Sequence, residues 1–395
     1  MKKLILSAIL AVACSALAVA QNSDNDYYNP LVTGVPSLSV NPDAVGGGMG
    51  DVGVSTLPDI NSQYWNPSKY ALSESHGGFA MSYTPWLHKL VSDINVAYLA
   101  GYYNISDAAG AISASLRYFS YGKVNLRESA EQEIPITVKP YEFAFDLGYC
   151  RKLAEYVSMG VNLRFINSDL SVRDENYYPG YAFGADISLF YMQPFDANNG
   201  GTHRLGVGLN LSNIGTKISY DKGQTRNFIP ANLRLGVSYY LPFNEYNRMS
   251  FSLECNKMMV PSRLSNKTDG FDPNDQSTWT MSAEDYSDIS SMKGIFMSFN
   301  DAPGGAKEEF KEVMWNAGIE YSYNEQFFAR VGYCNENASK GNRKFYTVGA
   351  GFKLSAFRLD VAYVIAQAQT SPLDQTLRFT LAFDVDGLKE LADRK

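Results

Sequence analysis

Between Tyr141 and Tyr191 the chain places an apolar residue at every second position through three consecutive segments. In the first, Tyr141, Phe143, Phe145, Leu147 and Tyr149 alternate with Glu142, Ala144, Asp146, Gly148 and Cys150. Val157, Met159, Val161, Leu163 and Phe165 do the same against Ser158, Gly160, Asn162, Arg164 and Ile166. Tyr181, Phe183, Ala185, Ile187, Leu189 and Tyr191 alternate with Gly184, Asp186 and Ser188. A period of two is that of a β-strand with one apolar and one polar face. Each run has about ten to twelve residues, long for a soluble strand and right for a tilted crossing of a bilayer. Charges on the second face exclude a sandwich core and fit a strand with lipid on one side and a polar lumen on the other.

The same pattern continues to Phe383. It predicts strands near 77–86, 92–103, 109–121, 139–150, 156–167, 180–192, 204–213, 230–241, 248–257, 312–323, 327–335, 344–354, 357–366 and 374–384. The expected fold is therefore all-β, an antiparallel 14-stranded transmembrane outer-membrane barrel, the even count suiting closure. Short links such as Asn104 to Ala108 and Asn324 to Gln326 alternate with long ones at 122–138, 168–179, 214–229 and 258–311. Only the links at 87–91 and 193–203 break that alternation. Short turns belong on the periplasmic side and long loops on the outside. The mean hydropathy of −0.22 hides this character, because inward polar residues cancel outward apolar ones. After the first segment, no stretch approaches about 18 uninterrupted apolar residues, so a spanning helix is not expected.

The expected domains are a signal peptide at 1–20, an arm and hatch at 21–75, the barrel at 76–384 and a tail at 385–395. Lys2 and Lys3, the run Leu4 to Ala13 and Ala18-Val19-Ala20 carry the signal reading, hence export to the outer membrane. Residues 36–75 are too apolar for a linker and show neither period, which predicts a compact plug. Inward Arg117, Glu142, Asp146, Arg164, Arg330 and Asp360 mix both signs, as expected of an ionic network against a plug rather than an open, single-sign pore.

No recognisable catalytic, cofactor or metal motif follows from the residues. Gly48-Met49-Gly50-Asp51-Val52-Gly53 formally matches a dinucleotide fingerprint, but no strand-helix unit surrounds it. His76, His88 and His203 lie at strand ends or turns, away from a Ser or Asp partner motif, which ranks a lipopolysaccharide-modifying deacylase low. Cys150, Cys255 and Cys334 sit within strands, an odd number and no disulfide framework. The loop at 258–311 exceeds what a connection needs. Its Phe271, Trp279, Tyr286, Phe296 and Phe299 are candidate partner-binding residues, since such a string is unwelcome in water unless packed or bound.

The string Val45-Gly46-Gly47-Gly48-Met49-Gly50-Asp51-Val52-Gly53-Val54, the run Gln63-Tyr64-Trp65-Asn66-Pro67-Ser68-Lys69, and Phe79 to Leu87 carry a resemblance. The chain resembles the FadL-like fourteen-stranded outer-membrane proteins and, within them, the PorV/PorQ family of type IX secretion. That resemblance marks Gly48, Gly50, Gly53, Asn66 and Pro67 as a hatch motif. It implies a non-enzymatic shuttle that binds the C-terminal signal domain of secreted cargo at an SprA-type translocon. The cargo would pass to a PorU-type sortase and attachment complex, among outer-membrane lipid and lipopolysaccharide, with no nucleic acid involved. A FadL-like channel for hydrophobic compounds is the alternative. The chain departs from barrels ending on an aromatic by continuing from Asp384 to Lys395.

Overall fold

A computed structural model describes residues 27–393 except 90, 92, 127–135, 172–176, 197–201 and 369–370. The signal-peptide segment 1–20 lies outside the described residues. Sixteen strands follow in chain order. They are β1 (Gly77–Pro85), β2 (Asn95–Ser106), β3 (Gly110–Ser120), β4 (Val124–Leu126), β5 (Ile136–Val138), β6 (Tyr141–Ala154), β7 (Val157–Asp169) and β8 (Gly180–Asp196). Then come β9 (Thr202–Gly215), β10 (Asn232–Pro242), β11 (Asn247–Met258), β12 (Val313–Tyr323), β13 (Phe327–Asn335), β14 (Lys344–Leu354), β15 (Phe357–Ala366) and β16 (Leu377–Asp384). All but β4 and β5 form one closed antiparallel barrel of fourteen strands in which chain neighbours pair. Each strand expected from alternation lies on one of these. The two short strands form a separate hairpin within the link from β3 to β6, too brief for alternation to reveal.

Closure joins β1 to β16, from Gly78 opposite Asp384 to Tyr83 opposite Phe379. Phe79 and Phe383 stack across this seam with ring centroids 4.9 Å apart. With no free edge, every strand in lipid has its backbone groups paired. Leu147, Leu163 and Phe183 project from the outer face, each more than half exposed. Their sequence neighbours Asp146, Arg164 and Gly184 face in, so period two becomes two chemically distinct surfaces.

The inner charges pair across strands and, at Arg358 and Asp360, along one. Arg164 reaches Asp146 at 2.7 Å and Asp186 at 3.0 Å. Arg330 reaches Glu320 at 2.7 Å and Asp360 at 2.8 Å, and Arg358 joins Asp360 at 2.7 Å. Deleting one member of such a buried pair leaves a naked charge, which costs about 3–5 kcal/mol.

Fourteen strands enclose more space than their own side chains fill, and residues 35–73 occupy it. The hatch backbone lies against a wall stripped of side chains. A Cβ on Gly332 would sit 2.0 Å from the nitrogen of Gly50, and one on Gly208 would sit 2.0 Å from the carbonyl oxygen of Val54. The wall grips this backbone by hydrogen bonds. Glu254 Oε2 accepts from the amides of Gly53 and Val54 at 2.9 and 3.0 Å. Thr347 Oγ1 accepts from Gly50 N at 2.8 Å, and Asn316 Nδ2 donates to Gly50 O at 2.6 Å. After β16 the chain turns into a helix, Val385–Asp393, at the short-turn end.

A Gly332→Val substitution is expected to push the hatch off the wall, raising single-channel conductance in planar bilayers and exposing the hatch to protease. Ala329→Val, on the outward face of the same strand, should leave both unchanged; equal behaviour of the two variants would contradict this packing.

Candidate docking cap and hatch

The hatch motif is a set of backbone approaches and caps. Asp43 caps the short helix Ala44–Gly47, accepting from Gly46 N at 2.9 Å, and also accepts from Trp65 Nε1 at 2.7 Å. Trp65 lies across Gly53, where a Cβ would fall 2.2 Å from the ring. Gly50 has φ of +73°, and a Cβ there would meet the nitrogen of Tyr333 at 2.5 Å. Gly48 comes against Gly349, a Cβ meeting its Cα at 3.1 Å. Asn66 donates to the carbonyls of Val54 and Leu189 at 2.9 and 3.0 Å, while its Oδ1 caps the turn Pro67–Leu72 at Ser68 N. Pro67 opens that turn, where its missing N–H costs nothing. These five residues are structural: they bend and lock the plug, and no phosphate-binding strand-helix unit surrounds the glycines.

Lys69 is fully buried with no ion pair among the described residues, its Nζ donating to Gly53 O at 2.9 Å and Thr56 Oγ1 at 3.0 Å. The sequence string contains Lys69, yet nothing in it separates a buried lysine from a solvated one.

At the other end the 258–311 loop folds over the barrel mouth. It carries the helices Ala283–Asp288, Ser291–Met297 and Ala306–Lys311, the first two capped by Ser282 and Ser290. Phe228, Val260, Met281, Tyr286 and Ile289 form its core. The N-terminal arm ties it down: Tyr27 packs edge-on against Trp279 at 4.8 Å and hydrogen-bonds Glu308. Lys257 bridges Glu309 and Glu312 at 3.0 and 2.7 Å, and Lys340 bridges Glu308 and Glu312 at 2.6 and 3.0 Å. Lys217 Nζ donates to the carbonyls of Tyr286 and Ser287 at 3.0 and 3.1 Å and lies 3.9 Å from the centre of the Phe228 ring.

This packing divides the five candidate aromatics. Trp279 and Tyr286 are interior, buried by Tyr27 and Phe228, and hold the loop together. Phe271 is half-buried against Trp279. Phe296 is 72% exposed and Phe299 46% exposed. Sequence reading missed Met292, 53% exposed and four residues before Phe296 on the same helix. Met292 and Phe296 share one face of this helix, legible once Ser290 is recognised as a cap, and Phe299 follows in the turn after Ser298. Gly294 lets the opposite face settle on Phe228, where a Cβ would lie 2.5 Å from the ring. That contact turns the Met292 stripe outward.

Among the described residues no cluster of His, Cys, Asp and Glu could hold a metal. His76 Nδ1 lies 3.0 Å from Asp386 Oδ2 at the short-turn end, and His203 Nδ1 lies 2.9 Å from Tyr239 Oη.

Asp301 lies inside the cap, its Oδ2 accepting from Ser262 N at 2.8 Å. Burial, reinforced by Glu312 and Glu309, pushes its carboxyl up to about 7. The folded cap therefore keeps a proton that an unfolded loop, at the ordinary 3.8, releases. Cap stability is full below 3.8 and falls as pH rises toward 7. Limited proteolysis is expected to cut the loop severalfold faster at pH 8 than at pH 5.5. Asp301→Asn should flatten that dependence; an unchanged pH profile in this variant would refute the assignment.

The family model described as "Type IX secretion system protein PorV" matches residues 22–265. No curated protein matches the chain. Among solved structures it is similar to the Pseudomonas putida toluene transporter TodX, with 11% identity and a TM-score of 0.48 over 90% of this chain and 98% of that one. The Ralstonia pickettii toluene transporter TbuX gives 11% identity and 0.44 over 86% and 97%. A Pseudomonas aeruginosa FadL homologue gives 10% identity and 0.45 over 90% and 99%.

Proposed function

The chain belongs to the PorV family of type IX secretion system proteins, and we propose that it serves there as a shuttle for secreted cargo. It binds the C-terminal signal domain at the translocon and hands it to the attachment complex on the cell surface. What carries the reading is the cap: a folded, ion-paired platform at the long-loop mouth that presents Met292, Phe296 and Phe299 outward. An apolar helical stripe on a rigid base is a docking surface for an apolar partner face. The hatch favours docking over conduction, because it separates a cavity at the long-loop mouth from one at the short-turn end.

Loss of the protein is expected to leave cargo in the periplasm with its signal domain uncleaved, and normal surface attachment would overturn the shuttle. Replacing Met292, Phe296 and Phe299 together by serine should lower co-purified cargo at least about tenfold, the range expected when a cluster of interface anchors is lost. The barrel should remain heat-modifiable in this variant. Undiminished cargo binding would remove the cap from the mechanism.

A further inference from the structure

Above the hatch, at the long-loop mouth, the lumen contains a cavity of about 530 Å³. Tyr64 and Asp51 come from the hatch, and Arg117, Arg164, Arg234 and Arg378 from the wall. Two of these arginines are matched. Arg164 is held by Asp146 and Asp186, and Arg378 reaches Asp51 at 2.7 Å. Arg117 and Arg234 are not: among the described residues neither has a carboxylate at ion-pair distance, although both are more than nine-tenths buried.

Their existing partners are neutral. Arg117 Nη1 donates to the carbonyls of Ser37 and Val40 at 2.6 and 2.9 Å. Arg234 donates to Tyr64 Oη at 3.0 Å and Tyr64 O at 3.4 Å, and its Nε has no partner. Both guanidinium carbons lie near the Tyr64 ring, 4.8 and 4.6 Å from its centre. Glu254 acts on Arg234 from beyond ion-pair distance, its Oε2 accepting from the amides of Gly53 and Val54 and its Oε1 unpartnered among the described residues. Carboxylates face both only from beyond ion-pair distance, Asp146 and Glu142 towards Arg117 and Glu254 and Asp51 towards Arg234. The cavity therefore holds two buried guanidinium forks with no carboxylate bonded directly to either.

Planar, forked donors match a carboxylate. The hatch closes the cavity from below, so it admits a chain end entering from the long-loop side but no segment passing through. We propose that this cavity binds the terminal carboxylate of a peptide, with Arg117 and Arg234 supplying the charge and Tyr64 positioning both. The inference rests on the shuttle reading, the peptide being the end of the cargo's C-terminal signal domain. Recognition then reads two features at once, an apolar face on the cap and a free chain end in the lumen.

The test uses the full-length protein in detergent and the signal domain of a secreted protein from the same cell. That domain is prepared with a free C-terminal carboxylate and with a C-terminal amide. The amide is expected to bind at least tenfold more weakly, and Arg234→Gln should abolish the difference between the two forms. Equal affinity of both forms for the unaltered protein, which requires no variant to fold, would overturn the pocket and leave the shuttle standing. If neither form binds, the shuttle falls and the pocket's peptide falls with it. Decanoate binding that depends on Arg234, alongside equal affinity of the two domain forms, would assign the pocket to small carboxylates and overturn the peptide terminus.

Discussion

Lipid offers no hydrogen bonds, and this protein is shaped by that single deficiency. A peptide group facing hydrocarbon without a partner costs several kcal/mol, so a strand that crosses must be paired on both sides. The β1–β16 register meets that demand for the last free edges. Closing fourteen strands then creates a second problem, an interior too wide for wall side chains to fill. The hatch answers it, and the inner glycines answer the hatch. Gly208, Gly318 and Gly332 each offer bare backbone where Val54, Met49 and Gly50 come close.

Charge in the lumen follows the same logic of local completion. Arg164 finds carboxylates on both neighbouring strands, Arg330 reaches one two strands away, and Arg358 one on its own strand, all within hydrogen-bonding range. Lys257 and Lys340 draw Glu308, Glu309 and Glu312 into a cluster that pins the cap. Where this completion stops, at Arg117, Arg234 and Lys69, the groups in direct contact are carbonyls, hydroxyls and an aromatic ring.

The barrel was legible because alternation is a one-dimensional record of a two-sided wall: Leu147 out and Asp146 in follow from adjacent positions alone. The hatch was legible as non-strand and apolar, and the resemblance marked Asn66 and Pro67 within it. The loop was not. Whether Trp279 or Phe296 faces water depends on Tyr27 and Phe228, which come from distant parts of the chain. No local period records such a meeting. The loose arginines were equally hidden, since Arg117 and Arg164 look alike in sequence and differ only in which neighbours fold beside them.

One feature of the arm bears on how such a barrel is put together. Residues 27–29 lie at the long-loop mouth, where Asn29 N donates to Ser339 O at 2.8 Å. By Ser73, bonded to Tyr102 near the other end, the chain has travelled the depth of the lumen before β1 begins. The polypeptide thus makes one more crossing than the wall has strands, and that first crossing runs through the interior. That crossing runs straight into β1, the strand that closes the seam with β16, so the plug and the closing strand are one continuous piece of chain.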